Sequence, residues 1–464
     1  MTVTQGMNAS SGGGILGRER TIAGPGFSRW MVPPAALAIH MCIGQAYAFS
    51  VFNLPMTKLI GITASAPDDW KLTELGWIFS IAIVFLGLSA AFLGRWVEEN
   101  GPRKAMFVAA CCFGGGFIVS YFGIKIHNLA LIYLGYGVLG GIGLGIGYIS
   151  PVSTLIKWFP DRPGMATGMA IMGFGGGALF ASPLSVTLMS YFKTPTDIGV
   201  ANTFLVMGII YFCLMMVGVI IVRVPAVGWK PEGWVAPAAG ARKLVTNENV
   251  SVHEAMKTPQ FFLIWAVLCL NVTAGIGVLG QASAMIQEMF PGRVTAVTAA
   301  GFVGLLSLFN MGGRFVWSSI SDYTGRRNIY AVYFLLGIAL YAAVPTTGHI
   351  GSVTLFVVCY LIIMSMYGAG FATVPAYLKD MFGTMHVGAI HGRLLTAWST
   401  AGVLGPVLVN YIRQYQIDNG VPKAEAYTVT MYIMAGLLVV GFICNYLVKE
   451  VNARHHHRAA LAAE

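Results

Sequence analysis

Charge is scarce in this sequence. Only 10% of its 464 residues are Asp, Glu, Lys or Arg, against about 25% in a typical soluble domain, while 56% are hydrophobic. A surface so poor in charge would not stay dissolved, which excludes an ordinary water-soluble enzyme. Carboxylates are rarer still. All 18 Asp and Glu fall in loops or at the ends of apolar runs, which argues against a proton relay through acids buried at membrane depth. The seven cysteines include Cys111, Cys112, Cys213, Cys269 and Cys359, each inside an apolar run. With no paired set outside the runs, a disulfide framework or a zinc site is not expected. No leader with a short apolar core precedes the first run, and residues 1–29, rich in Gly and Ser near their start, read as a disordered tail.

Long apolar stretches are plentiful. Runs of roughly 18 residues or more mark candidate membrane-spanning helices, and twelve are found, near 32–52, 75–93, 106–122, 129–156, 165–189, 203–222, 261–280, 295–317, 329–345, 353–377, 387–412 and 427–447. The expected fold is an all-α membrane protein. An even number of spans puts both termini on one side. The formal net charge of +10 does not call for a nucleic-acid partner, because the charge is asymmetric. With the N-terminus inside, twenty of the 28 Lys and Arg fall on cytoplasmic segments, Arg242 and Lys243 of the central loop among them, and seven fall outside. This positive-inside bias predicts a multi-pass protein of a bacterial inner (plasma) membrane with both termini cytoplasmic. The remaining basic residue is Arg314, inside a run.

The chain also repeats itself. At an offset of 224, Glu98 aligns with Asp322, Gly101 with Gly325, Arg103 with Arg327, Pro151 with Pro375, Gly164 with Gly388 and Gly168 with Gly392. One offset satisfying two separate regions implies duplication of a six-helix unit. The predicted organisation is a tail (1–29), a first half (30–222), a cytoplasmic linker (223–258), a second half (259–448) and a second tail (449–464). Parallel repeats of this kind place a substrate site at their interface near the bilayer midplane.

Gly94-Arg95-Trp96-Val97-Glu98-Glu99-Asn100-Gly101-Pro102-Arg103-Lys104 resembles the loop motif of the major facilitator superfamily, and the stretch from Ser318 to Arg327 resembles its second copy. The resemblance implies twelve helices in two pseudo-symmetric halves that rock about a central cavity. An acid with clustered cations at helix ends suits an interhelical latch, so Glu98, Arg103, Asp322, Arg326 and Arg327 are its candidates.

Arg314 has no acid at its own depth, and its planar guanidinium with five donors suits a carboxylate. Asn310 lies one turn earlier on the same helix face. Phe309-Asn310-Met311-Gly312-Gly313-Arg314 resembles the eighth span of the oxalate:formate antiporter subfamily, which is related to the monocarboxylate porters. The likeness continues in the stretches 258–262, 270–277, 367–377 and 395–398. It implies that Arg314 binds a substrate carboxylate. An oxalate exchanger of that subfamily carries a second buried cation, a lysine in span eleven, and the matching position here is Trp398. One fixed cation matches a monocarboxylate such as lactate, pyruvate or formate better than the oxalate dianion.

Gln45, Tyr47, Tyr148 and Tyr367 lie near mid-span in spans one, four and ten, which line the cavity in this superfamily. A tyrosine there can offer its hydroxyl to a carboxylate and its ring to a methyl group. His40 is the expected proton site, if one exists. No cofactor is expected, since the Gly-rich stretch 135–147 follows no strand. The tail histidines His455, His456 and His457 are not expected to hold metal. The expected partners are a small carboxylate and the lipid bilayer, around a monomer. A membrane enzyme and a transporter-like nutrient sensor are disfavoured, the first by the lack of any catalytic triad or metal cluster at depth, the second by the lack of a signalling domain.

Overall fold

The computed structural model describes residues 14–235, 244–246, 248–279 and 281–456. Arg242, Lys243 and His457 lie outside these. Twelve long helices account for most of the chain: α1 (Arg29–Met56), α2 (Glu74–Asn100), α3 (Pro102–Lys125), α4 (Leu129–Trp158), α5 (Pro163–Phe192), α6 (Val200–Ile221), α7 (Pro259–Leu279), α8 (Ala296–Thr324), α9 (Arg326–Ile350), α10 (Val353–Phe382), α11 (Val387–Asp418) and α12 (Thr428–Leu447). Eleven are long and apolar enough to cross a membrane. The remaining one, α8, has 29 residues, about 43 Å at 1.5 Å per residue. Asn310, Arg314, Ser318 and Ser321 on it are buried against other helices. Helices are the expected solution here, since hydrocarbon offers backbone groups no partner outside the segment.

Helix starts carry local signals. Proline opens α3, α5 and α7 at Pro102, Pro163 and Pro259, where a missing N–H costs nothing. The side chains of Thr295 and Ser352 accept backbone N–H groups at the starts of α8 and α10. Two helices depart from regular geometry: α1 tightens to a 3-10 stretch over Gly44–Phe52, and α4 widens to a π stretch over Tyr133–Gly140.

The repeat read from sequence is visible in the backbone. Gly101 and Gly325 occupy equivalent turns, between α2 and α3 and between α8 and α9, with φ of 86° and 87°. Glycine takes this left-handed region without steric cost. Pro151 and Pro375 lie inside α4 and α10, and Gly164 and Gly388 sit at the second positions of α5 and α11. The halves meet along two seams, α5 against α8 and α2 against α11.

The outer surface is apolar, with Phe92, Phe122, Leu214, Phe262, Leu335 and Ile443 exposed. In water such a belt would aggregate; around helices of this length it is a lipid-facing surface. The tail and the linker are more ordered than the sequence suggests. Residues 14–29, expected to belong to a disordered tail, fold across the end of the first half, where Ile22 pairs with Val224. The Arg103 guanidinium donates to the carbonyls of Ile15, Arg20 and Val222. The described end of the linker lies against the second half: Val250 N donates to Phe382 O, and Asn249 Oδ1 accepts from Thr384 N and Met385 N.

Candidate functional site

Two sets of side chains bridge the halves, one at the end that carries the termini and one at mid-depth. At the terminal end, each acid of the duplicated motif caps a helix of the opposite half. Asp322, at the end of α8, accepts the backbone N–H groups of Gly164 and Met165 at the start of α5, both at 2.8 Å. Glu98, at the end of α2, accepts from Gly388 N at the start of α11 at 3.1 Å. A helix start presents unpaired N–H groups and the positive end of the helix dipole, so a carboxylate there is stabilised twice over. A Cβ at Gly164 would come within 2.2 Å of Ser318 O, so only glycine permits this approach.

The cations divide differently from expectation. Arg326 pairs with Asp322 at 2.6 Å and with Asp380 at 3.0 Å. Arg103 does not reach Glu98; it is held by the three carbonyls of the tail and linker. The partner of Glu98 is Lys157, at 2.5 Å. Arg327 lies over the Tyr446 ring at 4.9 Å, within the second half. The contact across the seam is therefore carboxylate to helix start, with cations from the carboxylate's own half.

At mid-depth Arg314 is completely buried. Its Nε donates to Asn310 Oδ1 at 3.0 Å and its Nη1 to Ile171 O of α5 at 3.4 Å, while Nη2 has no partner. Glycines make room for this pair: a Cβ at Gly175 would lie 2.8 Å from Arg314 Nε, and one at Gly368 would lie 2.3 Å from Asn310 Oδ1. Phe174 of the first half and Phe371 of the second cover the guanidinium at 5.7 and 5.3 Å. Trp398 completes the aromatic wall around the guanidinium, its ring centroid 4.5 Å from Phe371, 5.2 Å from Phe174 and 5.4 Å from Tyr148. Tyr47 joins the halves through its hydroxyl, 3.3 Å from that of Tyr367.

Buried donors without partners gather here. Besides Arg314 Nη2, they are Trp398 Nε1 and the Tyr148 hydroxyl, which lies beside the Arg314 guanidinium. An unsatisfied buried polar group costs about 1–3 kcal/mol, and native proteins contain few. Several of them surround one guanidinium that is walled by aromatic rings.

A sequence profile of the Major Facilitator Superfamily matches residues 27–406. The chain belongs to that superfamily. The oxalate:formate antiporter of Oxalobacter formigenes is 27% identical, over 82% of this chain and 83% of that protein. Human monocarboxylate transporter 11 is 25% identical, over 79% of this chain and 76% of the relative. Among solved structures, the Escherichia coli fucose:proton symporter FucP superposes with a TM-score of 0.64 at 13% identity, covering 91% of this chain and 98% of that one. The fold is thus that of a major facilitator, and the nearest functional vocabulary among these relatives is that of small carboxylates.

Of the residues singled out for this transporter's cavity, Arg314, Asn310, Tyr47, Tyr148, Tyr367 and Trp398 come together. Gln45 does not. It points into the first half, where its Oε1 accepts from Tyr136 at 2.8 Å among the rings of that half's core. His40 sits below the chamber, with Nδ1 on Ala36 O at 3.1 Å and its ring 5.3 Å from Tyr148. Sequence reading missed His391. Its ring lies 5.8 Å from Tyr148, across the seam from His40, and its Nε2 has no partner. It had stood too near the start of an apolar run to count as deep, although only two helical turns separate it from Trp398. Phe174 and Phe371 carried no sequence signal, since an apolar ring in an apolar run is unremarked until its neighbours are known.

Proposed function

We propose that this transporter is a secondary carrier of small carboxylate anions, most fittingly a monocarboxylate such as lactate, pyruvate or formate, working by alternating access as a monomer in a bacterial inner membrane with both termini cytoplasmic. The observation that carries the reading is Arg314: a fully buried guanidinium at the seam with a free Nη2 and no carboxylate at its depth. A bound monoanion neutralises it. Tyr148 and Trp398 Nε1 supply further donors, and the rings of Phe174, Phe371 and Trp398 contact the apolar part of the substrate. Because Arg314 belongs to the second half and Phe174 to the first, binding favours closure of one half on the other. The latch acids hold the terminal end shut until that closure strains the two capped helix starts apart. The direct test is counterflow in proteoliposomes with oxalate, formate, lactate and pyruvate. Exchange of lactate or pyruvate against a labelled monocarboxylate is the expected outcome, and failure of all four acids would sink the proposal.

Exchange of oxalate for formate is a second reading. It is favoured by the 27% identity to an oxalate:formate antiporter. Whichever acid is carried, the topology is checkable. In a cysteine-free background, a cysteine at Glu248 should be labelled only from the cytoplasm and one at Asp68 only from outside; both are exposed. Labelling of both from the same face contradicts the even-span arrangement.

Asp322→Asn tests the latch. The amide keeps an acceptor for one N–H but loses the charge facing the α5 start and Arg326, worth about 1–2 kcal/mol in a partly buried setting. Turnover should fall about tenfold while substrate affinity changes little, because Asp322 lies more than two helical turns from Arg314. Loss of affinity at an unchanged exchange rate would show that Asp322 acts on the substrate instead.

A further inference from the structure

A groove of about 540 Å³ opens on the outer belt where the two halves meet. Its walls are Phe92 of α2 on one side and Phe261, Phe262 and Trp265 of α7 with Arg393 and Thr396 of α11 on the other. Phe92 and Phe262 are 79% and 56% exposed, so they face hydrocarbon. Trp265 is held in place by its Nε1, which donates to Thr396 Oγ1 at 2.9 Å. Arg393 is half-buried in the same groove. Its guanidinium makes no hydrogen bond or ion pair among the described residues. At the same end Arg326, Lys157 and Arg95 have carboxylate partners, Arg103 is held by carbonyls and Arg327 lies over a ring.

Depth decides what such a cation meets. Arg393 stands five residues beyond Gly388, the residue capped by Glu98, which is about 8 Å along the helix. This is the level at which helix ends pass from hydrocarbon into headgroups, where a basic side chain attracts acidic lipid by about 1 kcal/mol. A planar guanidinium adds paired hydrogen bonds to phosphate oxygens. Phe92 and Phe262 flank Arg393 at about its own depth, and Trp265, level with Thr396, lies about one turn nearer the bilayer centre and offers aromatic carbon to an acyl chain.

We propose that this groove binds one acidic phospholipid, with its phosphate on Arg393 between Phe92 and Phe262 and an acyl chain running inward past Trp265. Because one wall belongs to each half, the lipid bridges the α2–α11 seam on its outer side, as Glu98 bridges it at the helix ends. The proposal is independent of which solute is carried, and its test does not use transport.

The test is native mass spectrometry of the purified, delipidated full chain, titrated with phosphatidylglycerol or phosphatidylcholine. The wild type should retain one phosphatidylglycerol, with about five- to tenfold preference over phosphatidylcholine. Arg393→Gln should lose that preference, Arg393→Lys should keep part of it, and Arg95→Gln, which alters a paired surface cation nearby, should leave it intact. Glycerol 3-phosphate should not displace the bound lipid. Equal retention of the two lipids by the wild type, or an unchanged preference in Arg393→Gln, would overturn the proposal. Displacement by glycerol 3-phosphate would do so too, since it would make the groove a soluble-phosphate site.

Discussion

Arg314→Gln should abolish carboxylate uptake, and Arg314→Lys should restore only a small part of it. The guanidinium is fully buried, anchored by Asn310 and Ile171, and offers Nη2 to the chamber. Each hydrogen bond to a charged group is worth about 1.5–3 kcal/mol, so losing the two that a fork gives a carboxylate costs about 3–6 kcal/mol. That is roughly two to four orders of magnitude in affinity. Glutamine fills part of the space but leaves the anion without a countercharge in an aromatic box, where solvation is poor. Lysine restores charge without the planar fork, and its single ammonium cannot hold Asn310 and Ile171 while facing substrate. The measurement is uptake of labelled acid into proteoliposomes, with purified variants checked for monodispersity. Uptake by Arg314→Gln within a factor of about three of the wild type would remove the anion anchor from the mechanism, and the fold assignment would be untouched.

Much of this architecture was legible in the sequence, for physical reasons. Hydrocarbon forces long apolar helices, so twelve runs could be counted directly, and ends shifted by only a few residues where helices extend into the headgroup region, as α9 and α11 do. Duplication left Gly101 and Gly325, and Pro151 and Pro375, at one offset because turns and helix bends tolerate few alternatives. The scarcity of buried charge made Arg314 conspicuous. The failures have a common cause. Gln45, Arg103 and Arg327 had the right residue types at the right depth, but direction around a helix decides their partners, and the local 3-10 geometry of α1 altered the face on which Gln45 falls. Lys157 and Asp380 were invisible as latch members because their partners are 59 and 54 residues away along the chain. His391 and the two phenylalanines became meaningful only once α11, α5 and α10 were seen to converge on Tyr148 and Arg314.

Trp398→Lys should shift the preference from lactate-like acids toward oxalate. Trp398 occupies the position where the resemblance to oxalate exchangers implies a lysine, and it contacts Tyr47, Tyr148, Phe174 and Phe371 around the chamber. Exchanging the indole for a lysine does two things at once. It removes ring volume, opening room for a second carboxylate, and it brings a second cation toward Arg314. Two unit charges about 4 Å apart interact by about 4 kcal/mol at an effective dielectric constant of 20. The ammonium must also be desolvated, and it is repelled by Arg314 when no anion is bound. A net gain of about 1.4–2.8 kcal/mol for oxalate relative to lactate, ten- to a hundredfold, is therefore expected. Lysine's aliphatic stem keeps part of the packing against Phe174 and Phe371, so folding is less threatened than by truncation to alanine. Trp398→Met separates the two effects, because it opens similar space without charge and should weaken lactate while gaining nothing for oxalate. Competition between labelled lactate and unlabelled oxalate in proteoliposomes reads all three proteins. Strong competition by oxalate in the natural sequence would mean that a second cation is already present, and the single-cation reading would be overturned.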